Sequence, residues 1–248
     1  MKKQIDKTNY ELVWSDEFDY VGVPNPDKWK CDTGDHGWGN DEIQYYTENE
    51  NAWVNGDKLV IELRKEASGR ITSARLNTHG RGMWTYGIFE ARAKIPKGLG
   101  TWPAIWMLGE DIGEVGWPLC GEIDIMEHVG FDEDVIVTSV HTKTYNHGIN
   151  TEKNISVKFE GITDDFHVFS VEWLEDEIRF YVDDDLLFTF NPKDYGDEIT
   201  EKEWPFHKPF FLLLNFAFGG HWGGKQGVDE SLLPLHFEVD YVRVYQKS

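Results

Sequence analysis

Short runs of β-branched and aromatic residues, cut apart by turn residues, recur along this 248-residue chain, and hardly any segment shows helical periodicity. The clearest strands are predicted over 58–63, 86–95, 166–173, 178–182 and 186–190, with further strands over 210–216 and 237–245. Pro96-Lys97-Gly98 closes the second of these with a turn, and Asp183-Asp184-Asp185 reads as a hairpin turn because Asp tolerates tight-turn geometry. A strand buries one face only by pairing and stacking, so many short strands with few helices predict an all-β sandwich of two packed antiparallel sheets. No linker, internal repeat or low-complexity tract interrupts the pattern, which predicts one domain over residues 1–248.

One predicted strand is chemically odd. Glu122-Ile123-Asp124-Ile125-Met126-Glu127 interleaves three carboxylates with bulky apolar side chains. Side chains alternate along a strand, so Glu122 and Asp124 share a face while strict alternation sends Glu127 to the other. A β-bulge near Ile125-Met126 re-aims Glu127, and all three acids then line one face. Four strand steps at about 3.3 Å span about 13 Å, a gap that two leaning glutamate side chains can largely close. Paired carboxylates about 5 Å apart serve retaining glycoside hydrolysis, and about 6.5 to 9.5 Å inverting hydrolysis. A solvated acidic strand face is the competing reading of the motif alone.

Composition narrows the partner. Twenty-four basic against 45 acidic residues leave a formal charge of -21, which repels nucleic acids and anionic membrane surfaces and favours a neutral ligand. Eleven tryptophans exceed what an ordinary core needs, and their flat faces suit sugar rings. Two cysteines, Cys31 and Cys120, are too few for a disulfide scaffold and leave one bridge or two thiols open. No Cys/His set has metal-finger spacing and no stretch is long enough for a transmembrane helix. The basic opening residues have no apolar run behind them and are no signal peptide. Gly219-Gly220-His221-Trp222-Gly223-Gly224 follows a strand and suits a loop where backbone approaches ligand. Asn154-Ile155-Ser156 fits an N-glycosylation sequon.

With the acidic motif, the ordered set of neighbours resembles glycoside hydrolase family sixteen over nearly the whole chain, particularly its laminarinase-like endo-β-glucanases. Val13-Trp14-Ser15-Asp16-Glu17-Phe18 is similar to the family's opening strand, and Gly37-Trp38-Gly39-Asn40-Asp41-Glu42-Ile43-Gln44-Tyr45-Tyr46-Thr47 to its first cleft loop. Ser73-Ala74-Arg75-Leu76, Trp102-Pro103-Ala104-Ile105-Trp106-Met107-Leu108 and Gly116-Trp117-Pro118-Leu119-Cys120-Gly121 match next, and Val239-Asp240-Tyr241-Val242-Arg243-Val244-Tyr245 resembles the closing strand. The resemblance implies a concanavalin-like β-jelly roll with an open concave cleft. The extra residue, placed at Met126, separates the motif from the E-x-D-x-E of the family's lichenases and points to the laminarinase type.

By the same resemblance Glu122 is the nucleophile, Glu127 the acid/base and Asp124 the residue between them that helps keep Glu127 protonated. Asn40, Glu42, Arg75, Trp102, Trp106, Trp117, His141, Asn215 and Trp222 are the expected substrate-binding residues, with His141 placed near the acid/base. No cofactor is expected in the chemistry. A structural calcium is expected on the convex side at Glu17, the Gly56 carbonyl and Asp240, oxygen ligands that suit a hard cation. The implied enzyme is a monomeric, retaining endo-hydrolase of β-1,3 or mixed β-1,3/1,4 glucans. Its expected location is extracellular, periplasmic or at the cell surface, with the leader absent from this sequence. Two alternatives stand beside it: a non-hydrolytic β-glucan-binding protein, and a hydrolase of the same fold acting on another polysaccharide such as a galactan. The run from His141 to His147 departs from the glycine-bearing laminarinase pattern and leaves specificity open.

Overall fold

The computed structural model describes residues 5–183, 185–196 and 198–248. The first four residues and Asp184, the middle of the expected hairpin turn, lie outside the described residues. In chain order the strands are β1 (Tyr10–Asp16), β2 (Val21–Gly22), β3 (Lys30–Asp32), β4 (Tyr45–Tyr46), β5 (Ala52–Asn55), β6 (Leu59–Lys65), β7 (Ile71–Ser73), β8 (Arg75–Asn77) and β9 (Gly87–Lys94). They continue as β10 (Thr101–Gly109), β11 (Glu122–Glu127), β12 (Val135–His141), β13 (Lys153–Lys158), β14 (His167–Trp173), β15 (Ile178–Val182), β16 (Asp185–Phe190), β17 (Phe210–Phe218) and β18 (Leu235–Lys247). Among the described residues, helix is confined to one four-residue turn, Ile112–Val115, and short 3-10 segments.

Two sheets form, as the pattern predicts. One has eleven strands with the path β16-β15-β14-β9-β18-β6-β5-β2, and the other seven in the order β13-β12-β11-β10-β17-β8-β3. The pairing is antiparallel, with the exception of the short β4 and β7 pair. The hairpin expected at Asp183 forms, with β15 and β16 paired through Val182 and Asp185.

Alternation decides what lies between the sheets. In β17, Phe210, Leu212, Leu214, Phe216 and Phe218 enter the main core, while Leu213 and Phe211 turn outward to a small cluster with Leu108 and Cys120. Phe89, Ala91 and Ala93 of β9 and Phe169, Val171 and Trp173 of β14 meet them from the other sheet. Each fully buried large apolar side chain contributes about 1.5–3 kcal/mol, so the sandwich is held by these interdigitated faces. The outward face of the seven-stranded sheet is left to carry the cleft. Both cysteines are free thiols, Cys120 buried and Cys31 partly so, which settles the open choice between bridge and thiols.

Candidate active site

The bulge is present at Ile125-Met126, as expected. Against β10, Glu127 pairs with Ala104, Met126 with Ile105 and Asp124 with Trp106, so Ile125 is the residue left out of register rather than Met126. Against β12 the register also breaks between Asp124 and Glu127. Ile123, Ile125 and Met126 all enter the core, two of them consecutive. That is why the bulge holds: a slip restoring strict alternation would drive a glutamate into the core, at a cost of several kcal/mol, or lift a buried apolar side chain out. Glu122, Asp124 and Glu127 consequently line one cleft of about 900 Å³.

Register spreads the cleft across the strands. One row runs Arg75, Asn215, Ala104, Glu127, Val137 and Ser156 through β8, β17, β10, β11, β12 and β13. The next runs Trp106, Asp124, Ser139 and Asn154, and the third sets Leu108, Glu122 and His141 side by side.

Each acid has its own partners. The Trp117 indole N–H donates to Oε2 of Glu122 at 3.1 Å. The Trp102 indole N–H donates to Oε1 of Glu127 at 3.0 Å, and the Ser139 hydroxyl reaches its Oε2 at 3.4 Å. His141 Nε2 lies 3.2 Å from Oδ2 of Asp124 and 3.7 Å from Oε1 of Glu122. The histidine directly flanks Glu122 and Asp124 and lies near enough to the acid/base to lower the Glu127 carboxyl, while Val137 is the β12 residue in register with Glu127. Burial with three carboxyls in one cleft raises all three pKa values. Glu127 is pushed up to about 8, first by burial and then by Asp124, and Asp124 to about 7 by burial. Glu122 is driven well above the usual carboxylate range by burial and then by Asp124. Glu122, Asp124 and His141 also present ligand atoms within 4.8 Å of one another, close enough to hold a metal ion.

The other expected binding residues converge on the same cleft. Arg75 is held by Asp32 at 3.1 Å and lies between the rings of Trp38 and Trp106. The Trp106 indole donates to Asn215 Oδ1 at 2.7 Å, and the Asn215 amide donates to the Tyr46 hydroxyl at 3.0 Å. Glu42 accepts from Gln44, Tyr46 and Asn40, and burial raises its carboxyl despite them. Trp222 meets Trp102 edge to face at 5.4 Å. The glycine loop brings the 40–43 loop onto the sheet: a Cβ on Gly219 would sit 2.3 Å from Ile43 Cδ1, and one on Gly220 2.8 Å from the Asn40 carbonyl.

Sequence reasoning missed His36, His147, Glu152, Asn154, Ser156 and His221 as cleft-lining residues, while Trp38 lines the cleft from the expected loop. For Glu152, Asn154 and Ser156 the signal was their spacing of two. The expected calcium residues are placed elsewhere. Arg243 grips Glu17 through both carboxylate oxygens, at 3.0 and 2.7 Å, and Arg92 holds Oδ2 of Asp240 at 2.6 Å, while Gly56 follows β5. The Glu17 carboxylate is thus already compensated by Arg243, and that of Asp240 by Arg92.

Residues 38–243 match the model of glycosyl hydrolases family 16. A beta-glucanase of Rhodothermus marinus is 54% identical over 245 residues, covering 96% of this chain and 86% of that protein. The laminarinase structure from Rhodothermus marinus superposes with a TM-score of 0.92 at 52% identity, covering 96% of this chain and 98% of that one. A mutant of SCLam, a non-specific endo-beta-1,3(4)-glucanase co-crystallised with 1,3-beta-D-cellotriosyl-glucose, superposes at 0.91 with 42% identity, covering 99% and 98%.

Proposed function

This chain belongs to glycosyl hydrolases family 16, and from that premise we propose that it is an endo-acting, retaining hydrolase of β-1,3 glucans of the laminarin type and of mixed β-1,3/1,4 glucans. The observation that carries the reading is the bulged strand that sets Glu122, Asp124 and Glu127 on one open cleft face. An open cleft between indole walls admits the middle of a long chain, as endo-cleavage requires.

In this mechanism Glu122 attacks the anomeric carbon while Glu127 protonates the departing glycosidic oxygen; Glu127 then takes a proton from water as water displaces Glu122. Glu127, pushed up to about 8, carries its proton at neutral pH. Glu122 must start ionised, and the Trp117 N–H bond to its Oε2 favours that form. Burial and the ionised Asp124 hold the proton of the pair towards Glu122, so the attack draws on the ionised form that Trp117 and His141 favour. His141 Nε2, 3.7 Å from Oε1 of Glu122, favours negative charge on that carboxylate. The chemistry runs on these side chains.

Reducing-sugar release from laminarin, barley-type β-glucan and agarose is the test. Release from the glucans, lost on the order of 10⁴-fold in Glu122→Gln with folding intact, is the expected result. Binding without release would install the glucan-binding alternative, and release from agarose alone the galactan one.

The remaining expectations join the proposal. A calcium at Glu17, Gly56 and Asp240 would use backbone carbonyls and Oδ1 of Asp240, and requires a melting temperature that falls on chelation and recovers with calcium. A polymeric substrate favours a location outside the cytoplasm, which activity in the culture medium or periplasmic fraction would support. A sizing mass of one chain would support the monomer.

A further inference from the structure

The cleft has a second wall. β11 carries the acids, and β10, β17, β8 and β3 lie on one side of it with Arg75, Asn215 and Trp106. On the other side lie only β12 and the edge strand β13, about 10 Å away at two strand spacings. Glu152, just before β13, and Asn154 and Ser156 within it are two residues apart, share a face, and all line the cleft. Ser156 pairs with Val137 and Asn154 with Ser139. Continuing that register by one residue brings Glu152 alongside His141, in the row of Glu122.

The two walls differ in how far their polar groups are satisfied. Glu42, Arg75 and Asn215 are each bonded within the protein. Oε2 of Glu152 is buried without a hydrogen-bond partner. Lys153, the adjacent cation, lies over the rings of Tyr145 and Tyr195 instead. His147 closes the wall above, its ring 4.8 Å from that of Trp117 and 5.1 Å from that of His141. Burial and then His141 hold its imidazole below the usual range, so it presents a neutral ring. A buried acceptor without a donor is unfavourable, and a donor supplied by the ligand removes that penalty.

We propose that Glu152, with Asn154, Ser156 and His147, forms a second sugar-binding wall in which the Glu152 carboxylate accepts from the hydroxyls of the second β-linked glucosyl residue beyond the bond that is cut, one that the shortest cleaved substrate lacks. This rests on the glucanase reading and adds a subsite on the side of the acids away from Arg75. It also gives the departure between His141 and His147 a role, because the loop carries the ring that caps this wall.

The test is kcat/KM over a series of β-1,3-linked gluco-oligosaccharides of increasing length for wild type, Glu152→Ala and Glu152→Gln, with melting temperatures alongside. In Glu152→Ala the shortest cleaved substrate keeps its wild-type value, and those long enough to reach β13 lose about tenfold, mainly in KM, as expected for one charge-assisted hydrogen bond. Glu152→Gln, which retains an acceptor oxygen, recovers part of that loss, and both variants melt with the wild type. A loss equal at every length, or none at any, overturns the wall while leaving a wild type that cleaves the series a glucanase. A wild type that cleaves none of the series overturns the glucanase reading and the wall with it.

Discussion

Replacing Glu127 by Gln removes a proton-transfer group and a buried charge at once, and the two consequences separate by assay. Burial and the neighbouring Asp124 raise this carboxyl from 4.5 to about 8. Below about pH 4.5 it is protonated in both the folded and the unfolded chain and contributes no pH dependence. Between 4.5 and 8 the folded chain keeps a proton that the unfolded chain has lost, so the stability of the native protein falls as pH rises through that window. From 4.5 to neutrality is about 2.5 pH units at about 1.4 kcal/mol each, a ceiling of about 3 kcal/mol. Gln has nearly the same shape, is neutral at every pH, and its carbonyl oxygen can still accept from Trp102.

The variant is therefore expected to match wild type in stability near pH 4 and to exceed it at pH 7 by up to about 3 kcal/mol. For a chain of this size about 1 kcal/mol moves the melting temperature by about 2–4 °C, so a rise of several degrees is readable. Denaturant unfolding at intervals from pH 4 to 7 measures the divergence, and reducing-sugar release from laminarin measures the accompanying loss of hydrolysis. Parallel stability profiles for the two proteins would refute the buried-carboxylate argument even if activity is lost. Retained activity would refute the acid/base role even if the profiles diverge.

In wild type the alkaline limb of kcat/KM should fall as pH passes about 8, where Glu127 loses its proton. Trp102→Phe deletes the N–H that favours the ionised form, so that limb should move to higher pH, by roughly half a unit to one unit; a shift to lower pH would contradict the assignment. Gly219→Ala places a Cβ against Ile43 at a φ of +71°, which should lower stability by about 1–3 kcal/mol and raise KM by loosening the 40–43 loop. Unchanged melting temperature and KM would show that the close approach is unimportant.

What was legible in the sequence was whatever one strand can show by itself. Three acids spaced two and then three residues apart conflict with alternation, and a bulge is the simplest repair, so Glu122, Asp124 and Glu127 could be put on one face before any coordinates. Which of Ile125 and Met126 is the extra residue depends on pairing with β10, a property of two strands. Which acid His141 stands directly opposite is hidden for the same reason: its distance in sequence from Glu127 says nothing about register, and the β12 pairing sets it opposite Glu122. Arg75, Trp102, Trp106, Trp117 and Trp222 were found because motifs surround them. Glu152, Asn154 and Ser156 had only their spacing of two, and on an edge strand that reads the same whether the polar face meets solvent or substrate. The strand order separates the two cases: with β13 next to β12 in the sheet that carries the acids, its polar face is the border of the cleft. One carboxylate oxygen of Glu152 is buried there without a donor from the protein, and that observation is what favours a ligand-binding wall over a solvated edge.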